Sequence, residues 1–392
     1  MTWFFHILGR IHHAHYNQAI MSHVYQQLAC YLDDLPAGYP PTESGVEIEI
    51  LQTLFTEQEA ELALHLTLLN EEARVVAFRA KLGMAETSEM LETMVGKGLI
   101  SGNYPKGKLP RYAISQYVIG FHEGQVDRLS KAYVRQFKRY EPHLFEKGPW
   151  TKVPQLRTIP INVAIPITTE VMPYESAEAI LRSKTNFAVR NCICRQEARL
   201  GGKGCDRPLE SCLTFDDAAL NDAATGKGRM ISLEDALTKV DAARKAGLVL
   251  QPANSQNPIV MCTCCSCCCG VLRNIKMQPE PAEMVMNAFI ARYDAEACIG
   301  CGKCVAVCPM AAATLGEVID FNPVRCIGCG LCAGVCPTQA VVMVRKTVKQ
   351  PTIPKNTLAT YLRLAKARGI GHLLKLAGMV VRSLFYRVIA PR

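Results

Sequence analysis

The chain has 392 residues, 49% of them hydrophobic, which is enough for two or three hydrophobic cores at roughly 100 to 200 residues per domain. Its formal net charge is +9, and residues 351–392 alone carry eight cations and no acidic residue: Lys355, Arg363, Lys366, Arg368, Lys375, Arg382, Arg387 and Arg392. Because 9 minus 8 leaves about +1 for the rest, the composition excludes a globally basic nucleic-acid-binding protein. No run of about 18 uncharged, strongly apolar residues occurs, so no transmembrane span is expected.

The cysteines, 19 in number, are the most informative part of the composition. An odd total argues against a disulfide framework, and adjacent residues such as Cys267, Cys268 and Cys269 cannot bridge one another without severe strain. Metal ligation in a reducing compartment fits this pattern better. The N-terminal MTWFFHILGR lacks the features of a signal peptide, so the sequence predicts a cytoplasmic location.

Residues 1–31 combine apolar side chains with histidines and almost no charge, which predicts an amphipathic helix ended by the turn-forming stretch from Asp33 to Pro41. This helix packs either on its own protein or on a membrane or partner. The histidines lack a Cys-x-x-Cys-His motif, so they do not indicate a haem.

Residues 44–117 have the pattern of three helices followed by a two-stranded hairpin, which resembles a winged helix-turn-helix. The expected helix caps are Thr56, in a capping box with Glu59, then Asn70, and then Thr87 or Ser88. The hairpin covers Leu99 to Tyr117, with its tip at residues 105–108.

The resemblance to a winged helix would imply DNA binding, but the charges of the third helix disagree. This helix carries Glu89 and Glu92 and has no Arg or Lys before Lys97. Carboxylates in that position would repel the phosphate backbone. We therefore expect a protein-interaction or scaffolding role for this segment and no specific nucleic-acid partner.

Residues 121–285 have the pattern of an α+β unit with cysteines at both ends. Helices are expected after Ser176 and after Ser232, and a short strand from Phe187 to Arg190 leads into the first cysteine group. A second strand, Leu248 to Leu250, returns toward the second cysteine group.

The strongest motif is an internal repeat, in which CIGCGKCVAVCP at 298–309 and CIGCGLCAGVCP at 326–337 match at an offset of 28 residues. Each copy reads Cys-x2-Cys-x2-Cys-x3-Cys-Pro. Such a short, glycine-containing loop wraps three thiolates around one face of an iron-sulfur cubane and turns its backbone amides toward the sulfides.

The repeat resembles that of two-cluster bacterial ferredoxins, and this resemblance implies a crossed ligand pattern. Cys298, Cys301, Cys304 and Cys336 would then hold one [4Fe-4S] cluster, and Cys326, Cys329, Cys332 and Cys308 the other. Zinc fits this doubled motif poorly.

Ten further cysteines form two groups in the middle of the chain: Cys192, Cys194, Cys205 and Cys212, and then Cys262, Cys264, Cys265, Cys267, Cys268 and Cys269. Within the second group, Cys262, Cys265 and Cys268 repeat the Cys-x2-Cys-x2-Cys spacing. At four cysteines per cubane, the ten predict one or two additional iron-sulfur clusters, with zinc or inert buried thiols as the alternatives. Nearby cations, Arg190, Arg195, Lys203 and Arg207, would stabilise thiolates.

Taken together, these motifs resemble a broad family of prokaryotic 4Fe-4S dicluster-domain proteins over residues 44–346. The basic tail lies outside that resemblance and alternates apolar residues with cations about one helical turn apart. An amphipathic helix of this kind can lie on an anionic membrane surface, dock on an acidic redox partner or pack on its own domain. A location on the inner face of the membrane is therefore a further expectation.

The sequence thus predicts an α+β multidomain protein with five segments: an N-terminal amphipathic helix and linker (1–43), a winged-helix-like domain (44–120), a Cys-rich α+β domain (121–285), a two-cluster ferredoxin domain (286–350) and a basic amphipathic tail (351–392). The predicted function is the relay of low-potential electrons between redox protein partners, one of which is membrane-associated. The sequence favours an electron carrier or oxidoreductase subunit over a stand-alone enzyme. An iron-sulfur reductase with its cluster in the CxCCxCCC region and a redox-sensing DNA-binding regulator are the alternatives.

Overall fold

The computed structural model describes residues 23–161, 171–316, 319–348 and 351–391, without the side chain of Lys147. Within these residues the chain divides into two compact units. The first contains residues 23–124, 132–148 and 368–391, and the second contains residues 125–131 and 149–367. Most of the predicted N-terminal helix lies outside the described residues, and the boundaries of the five predicted segments stay predictions.

The helices of the described part follow one another in chain order. They are α1 (23–34), α2 (Val46–Leu54), α3 (Glu57–Leu64), α4 (Ala73–Ala80), α5 (Met84–Gly96), α6 (Lys131–Lys147), α7 (Ala177–Arg182), α8 (Ile193–Leu200), α9 (Asp217–Ala224), α10 (Leu233–Lys245), α11 (Gly270–Met277), α12 (Lys303–Val307), α13 (Leu331–Gly334), α14 (Thr357–Arg368) and α15 (Ile370–Ile389). Short 3₁₀ helices cover Glu123–Gln125, Pro149–Thr151, Pro173–Glu175, Pro281–Met284 and Pro323–Arg325. None of the described helices has the length and hydropathy that crossing a membrane requires.

The strands pair in antiparallel fashion throughout the described ladders. They are β1 (Glu71–Glu72), β2 (Ile100–Asn103), β3 (Arg111–Ile114), β4 (Phe187–Asn191), β5 (Glu210–Phe215), β6 (Arg229–Ile231), β7 (Val249–Pro252), β8 (Val260–Cys264), β9 (Phe289–Tyr293), β10 (Ala313–Leu315), β11 (Ile319–Phe321) and β12 (Val341–Arg345). Helices combined with antiparallel sheets confirm the predicted mixed α and β composition.

The first unit contains α1 to α6, α15 and a three-stranded sheet in the order β1-β3-β2. Its helix α3 starts as predicted, because the Thr56 side chain accepts from the N–H of Glu59 and the Glu59 carboxylate accepts from the N–H of Thr56. The predicted hairpin is also present, as β2 and β3.

Two predicted helix starts in the first unit are wrong. Helix α4 begins after Glu72 and not at Asn70, because the chain between them forms β1, whose residues Glu71 and Glu72 pair with β3. Helix α5 begins after Gly83, one turn before the predicted start, so Thr87 lies inside it and is buried. Neither helix has a side-chain N-cap, so the sequence contains no capping residue from which either start could be predicted.

The second unit is built on a five-stranded sheet in the order β6-β4-β5-β8-β7, against which α9 and α10 pack. Helix α10 begins after Ser232 as predicted, with Ser232 and Asp235 as its capping box, and Gly247, with a φ of 67°, follows its end. Just before residue 161, Leu156 and Ile159 form isolated β-bridges to Ala253 and Leu250.

Two small two-stranded sheets, β9 with β12 and β10 with β11, complete the second unit. Along the chain, β9 and β12 flank the two copies of the internal repeat, and β10 and β11 lie between the copies. One hydrophobic core runs from the five-stranded sheet to these small sheets, and cysteines from the middle groups and from the repeat are part of it. The cysteine-bearing segments are therefore positioned by one packed interior.

Candidate metal centres

The two copies of the repeat form loops of the same shape. The short helices α12 and α13 start after Gly302 and Gly330, whose φ angles are 68° and 77°, and the preceding loop glycines, Gly300 and Gly328, have φ angles of 64° and 69°. A side chain is strained at such angles, so glycine is required for this loop. Repeated backbone geometry therefore accompanies the repeated spacing of the cysteines.

Around the second loop the structure brings together the four thiols that the ferredoxin resemblance assigns to one cluster. Cys326, Cys329 and Cys332 interact electrostatically with one another and with Cys308 of the first copy. The same four cysteines line one cavity, together with the apolar residues Pro309, Met310, Ile327 and Met343. Burial raises the pKa of Cys332 to about 12, and the neighbouring thiols reinforce this effect.

Around the first loop the described contacts are fewer. Cys304 is buried and interacts with Cys298, whereas Cys301 is exposed. The thiol of Cys336 lies 3.7 Å from the Thr338 hydroxyl, which lowers the pKa of Cys336 against the opposing effect of burial. The role of Cys336 as fourth ligand of this loop stays a prediction.

Tyr293 lies between the two loops and was not identified from the sequence. Its hydroxyl hydrogen-bonds with the thiols of Cys304 and Cys332, one from each copy of the repeat. Burial, and then these thiols, raise the pKa of Tyr293. A single tyrosine at the end of β9 carries no spacing signal, so sequence analysis could not identify it.

Four of the ten middle cysteines form a compact group, here called the four-thiol site: Cys205, Cys265, Cys267 and Cys268. Their Sγ atoms all lie within 4.8 Å of one another. The separations are 3.6 Å between Cys205 and Cys268, 3.8 Å between Cys267 and Cys268, and 3.9 Å between Cys205 and Cys265. Nη1 of Arg207 donates to the Cys267 sulfur at 3.6 Å.

The other six middle cysteines interact electrostatically with one another in a cyclic order, and they are here called the six-thiol ring. Its order is Cys192, Cys194, Cys269, Cys264, Cys262, Cys212 and back to Cys192. All six are buried or half-buried. The two sites together account for all ten cysteines that the sequence predicts as metal ligands, and each site takes members from both groups.

Strand register and helix starts explain why these six thiols meet. Cys212 on β5 and Cys262 on β8 are cross-strand neighbours, one step beyond the Leu213–Met261 pair, and Cys264 lies two residues along the same face of β8. The remaining members stand at helix N-termini: Cys192 and Cys194 at α8, and Cys269 at α11.

The local environment favours the thiolate form at one position of the ring. The pKa of Cys269 lies well below its usual value, because the Cys194 and Cys264 thiols hydrogen-bond to its sulfur, as do the backbone N–H groups of Leu272 and Val271. A helix N-terminus that supplies such donors is a known way to stabilise a thiolate.

The sequence-based triplet Cys262, Cys265 and Cys268 does not form one site. Cys262 belongs to the six-thiol ring, whereas Cys265 and Cys268 belong to the four-thiol site. The reason is that β8 ends at Cys264, and the turn that follows redirects the chain toward Cys205.

Arg195 stands between the two middle sites. It is fully buried, donates to the carbonyl oxygen of Thr263 at 2.7 Å, hydrogen-bonds to the Cys265 thiol and interacts electrostatically with Cys192 and Cys212. Its Nε has no hydrogen-bond partner in the described part of the chain. A buried guanidinium needs negative charge nearby. Metal-bound thiolates of the four-thiol site would supply that charge, so the surroundings fit the presence of metal at that site.

Comparison with known families supports the interpretation of the repeat. Residues 297–340 match the family described as 4Fe-4S dicluster domain. Neither the curated proteins nor the solved structures give a match to this chain. The chain therefore contains a ferredoxin-type iron-sulfur domain at residues 297–340, within a longer polypeptide that has additional clustered cysteines.

Proposed function

We propose that this protein is an electron carrier that relays low-potential electrons between redox partners through two [4Fe-4S] clusters at residues 297–340. The observation that carries the proposal is the crossed arrangement of the repeat, in which Cys308 of the first copy lies with Cys326, Cys329 and Cys332 of the second. Crossed ligation is the arrangement that two-cluster ferredoxins use.

The proposed ligands are those that the repeat assigns. Cys326, Cys329, Cys332 and Cys308 would hold one cluster, and Cys298, Cys301, Cys304 and Cys336 the other. Each bound cluster supplies one site that accepts and releases a single electron. The chain contributes the thiolates, an apolar enclosure for the second loop, and the Tyr293 hydroxyl between the two loops.

The exposure of the two loops suggests where a partner docks. The second loop is enclosed, with Cys326 and Cys329 each 8% exposed, whereas in the first loop Cys301 is exposed and Ile299 is 66% exposed. Electron transfer between proteins requires a short distance between the redox groups. We therefore propose that a redox partner contacts the chain around residues 299–303.

The four-thiol site provides a further metal centre. Four thiols satisfy one cubane or one tetrahedral ion, so the prediction of additional iron-sulfur clusters stays open here. Its sulfur separations of 3.6 to 3.9 Å favour a single ion, because four ligands at about 2.3 Å from a tetrahedral centre are about 3.8 Å apart. Cubane ligands lie farther apart, since iron atoms and sulfides stand between them.

An exposed face of α15 supports the further proposal that the tail docks on a lipid surface. Leu376, Met379 and Ser383 of this helix are buried. The opposite side exposes a continuous set of large apolar residues: Ile370, Leu374, Val381, Leu384, Phe385 and Val388. The helix is about 30 Å long, and residues 351–392 contain no acidic side chain that would repel an anionic membrane.

The relay is tested by measuring electron transfer from a chemically reduced low-potential viologen to cytochrome c through the full-length protein. Cys329→Ser removes a proposed ligand from the enclosed cluster and should lower the transfer rate at least about tenfold, since one of two carriers is lost. Cys30→Ser is the matched control, because Cys30 is exposed in the first unit and belongs to none of the cysteine groups. Equal rates for the wild type and Cys329→Ser would contradict the relay.

A further inference from the structure

We propose that a cavity of the second unit binds a small organic anion, whose carboxylate or phosphate group is held by Arg157, Arg345 and Lys346. The cavity has a volume of about 340 Å³, which is within the range of small-molecule sites. It is lined by five segments of the second unit: 157–160, 174–175, 286–289, 345–348 and 351–353. The binding step does not depend on electron relay, because these residues lie outside the cysteine loops.

The lining of the cavity carries a net positive charge. Arg157, Arg345 and Lys346 line it, and among the described lining residues Glu175 is the acidic one. The Glu175 carboxylate pairs with Arg345 at 2.5 Å. Three cations and one carboxylate leave a net charge of two on the lining, which an anionic ligand would neutralise.

Arg157 is a buried cation whose hydrogen-bonding groups are only partly satisfied. Its side chain is 2% exposed, and Nη2 donates to the Ser255 carbonyl oxygen at 3.2 Å. Its Nε has no hydrogen-bond partner in the part of the chain that the structure describes. Burial lowers the pKa of Arg157 to about 10, so the guanidinium keeps its charge at neutral pH. A buried charge is costly unless a counter-charge and hydrogen bonds compensate for it, and a bound oxyanion offers both.

Two further buried donors of the lining have no hydrogen-bond partner among the described residues: the Thr158 hydroxyl and Nδ2 of Asn287. Thr158 is 2% and Asn287 6% exposed. Oδ1 of Asn287 accepts from the N–H of Phe289 at 3.0 Å, which fixes the amide and leaves its NH₂ group for another acceptor. Buried polar groups without partners are rare in folded proteins. The oxygens of one carboxylate or phosphate can accept from several such donors.

The cavity also has apolar and aromatic walls, which include Ile159, Phe289 and Ile353. The Arg345 guanidinium lies 5.0 Å from the centre of the Phe289 ring, so charge and apolar surface stand side by side. Apolar walls with a few convergent polar groups are typical of sites for organic ligands. The ligand class is therefore an organic carboxylate or an organic phosphate.

The cavity adjoins the second ferredoxin loop. A Cβ atom at Gly328 would lie 2.5 Å from Oδ1 of Asn287 and 2.5 Å from the carbonyl oxygen of Phe289, two residues of the lining. The bound anion should make the enclosed cluster harder to reduce, because its negative charge opposes the added electron. This consequence, unlike binding itself, rests on the proposed function.

Isothermal titration calorimetry of the full-length protein tests the site with three probes that share an aromatic ring: benzoate, phenyl phosphate and neutral benzyl alcohol. At least one of the two anions should bind with a Kd below about 1 mM and at least about tenfold more tightly than benzyl alcohol. Tighter binding of benzoate would identify a carboxylate ligand, and tighter binding of phenyl phosphate a phosphate ligand. Either result supports the proposal, whereas anions that bind no better than benzyl alcohol would overturn it.

Two variants and a control check the assignment to this cavity. Arg157→Met should weaken binding of the anion at least about tenfold, because a charge-assisted contact is lost. Thr158→Val keeps the shape of the side chain, so it tests the site even if Arg157→Met does not fold, and should weaken binding about threefold or more. Arg182→Met is the matched control, since Arg182 is 59% exposed and pairs with Glu178 on α7. Wild-type affinity in Thr158→Val or in folded Arg157→Met would overturn the proposal.

A redox titration followed by electron paramagnetic resonance distinguishes this proposal from the relay. The anion that binds should lower the reduction potential of the enclosed cluster, and benzyl alcohol should leave it unchanged. Anion binding by protein that does not transfer electrons would support the site and contradict the relay alone. Electron transfer by protein that does not bind the anions would contradict the site alone.

Discussion

Glu71 is a buried carboxylate of the first unit that accepts hydrogen bonds from three side chains. Its Oε1 receives Nη2 of Arg79 at 2.5 Å and the Ser383 hydroxyl at 2.8 Å, and its Oε2 receives the Thr67 hydroxyl at 2.9 Å. The side chains of Glu71 and Arg79 are 0% and 3% exposed. Because Ser383 belongs to α15, this carboxylate ties the C-terminal helix to β1.

Replacing Glu71 with alanine should destabilise the first unit strongly. Arg79 would remain buried without its counter-charge, a situation that costs about 3 to 5 kcal/mol. Urea unfolding followed by circular dichroism measures the loss. Glu49→Ala is the matched control, since the ion pair of Glu49 with Arg139 is 41% and 51% exposed and should contribute about 1 kcal/mol or less. A similar small loss for both variants would show that Glu71 is not the buried anchor described here.

Two cysteines that are adjacent in the chain belong to different groups, which their spacing did not predict. Cys264 and Cys265 are adjacent in the chain, yet Cys264 belongs to the six-thiol ring and Cys265 to the four-thiol site. Spacing alone favoured the triplet of Cys262, Cys265 and Cys268. The position at which β8 ends determines which group each cysteine joins. The pairing of β8 with β5 and β7 depends on residues up to about 50 positions away in the chain.

The charge of helix α5 determines whether the first unit could bind DNA specifically. Glu92 on this helix receives the hydroxyl groups of Tyr104, at 2.8 Å, and of Tyr112. Burial, and then Glu92, raise the pKa of both tyrosines. The carboxylate therefore holds the β2–β3 hairpin to α5.

We expect no specific DNA binding by the full-length protein. Glu86, Glu89 and Glu92 give α5 a negative charge, and no cation of the helix is available to contact base edges or phosphates. Gel-shift titration against a random duplex library is the measurement, with a polyanion competitor as control. Enrichment of one sequence at nanomolar protein, weakened by added salt, would instead support a DNA-binding regulator.

Several cations near the C-terminus do not face outward, as docking on lipid headgroups would require. Arg368, at the end of α14, pairs with Asp33 at 2.9 Å, and in α15 Lys375 pairs with Asp34 at 2.5 Å and Arg387 donates to the Asn70 carbonyl oxygen at 2.9 Å. All three contacts lie within the first unit. The apolar face is the part of α15 that is free to meet a membrane, so docking should depend on insertion more than on charge.

The proposed membrane docking predicts co-sedimentation with lipid vesicles that persists at about 0.5 M salt, where charge–charge attraction is screened within a few ångströms. A triple variant, Leu374→Asp, Val381→Asp and Phe385→Asp, should abolish it, because charges enter the apolar face. Lys366→Gln is the control and should bind normally, since Lys366 is exposed and outside that face. Binding that disappears with salt, or that survives in the triple variant, would contradict apolar docking.

Elements whose signals are local were predicted well. The capping boxes at Thr56 and Ser232 confirmed two helix starts, and the β2–β3 hairpin lies where its turn residues indicated. Helices α4 and α5 lack side-chain caps, so their starts depend on how β1 and β3 pair and on packing. Tertiary contacts of that kind cannot be predicted from a short segment of the sequence.

Over the whole molecule, the ferredoxin-type domain could be predicted from local sequence, whereas the arrangement of the middle cysteines could not. The repeat encodes its loops within 12 residues per copy, and the family match at residues 297–340 confirms the iron-sulfur domain. The middle sites require Cys192 and Cys205 to meet residues about 60 to 80 positions later, through a five-stranded sheet whose order is not sequential. The cysteines that gather there could be predicted, but not their partition into two groups.

We propose that two [4Fe-4S] clusters of this chain carry electrons at low potential. Low-temperature electron paramagnetic resonance of full-length protein, purified without oxygen and reduced with dithionite, tests it most directly. We predict a spin-coupled signal from two neighbouring reduced clusters that integrates to about two spins per chain, and about one spin in Cys329→Ser. An absent signal in protein with fewer than about four irons per chain would contradict the account.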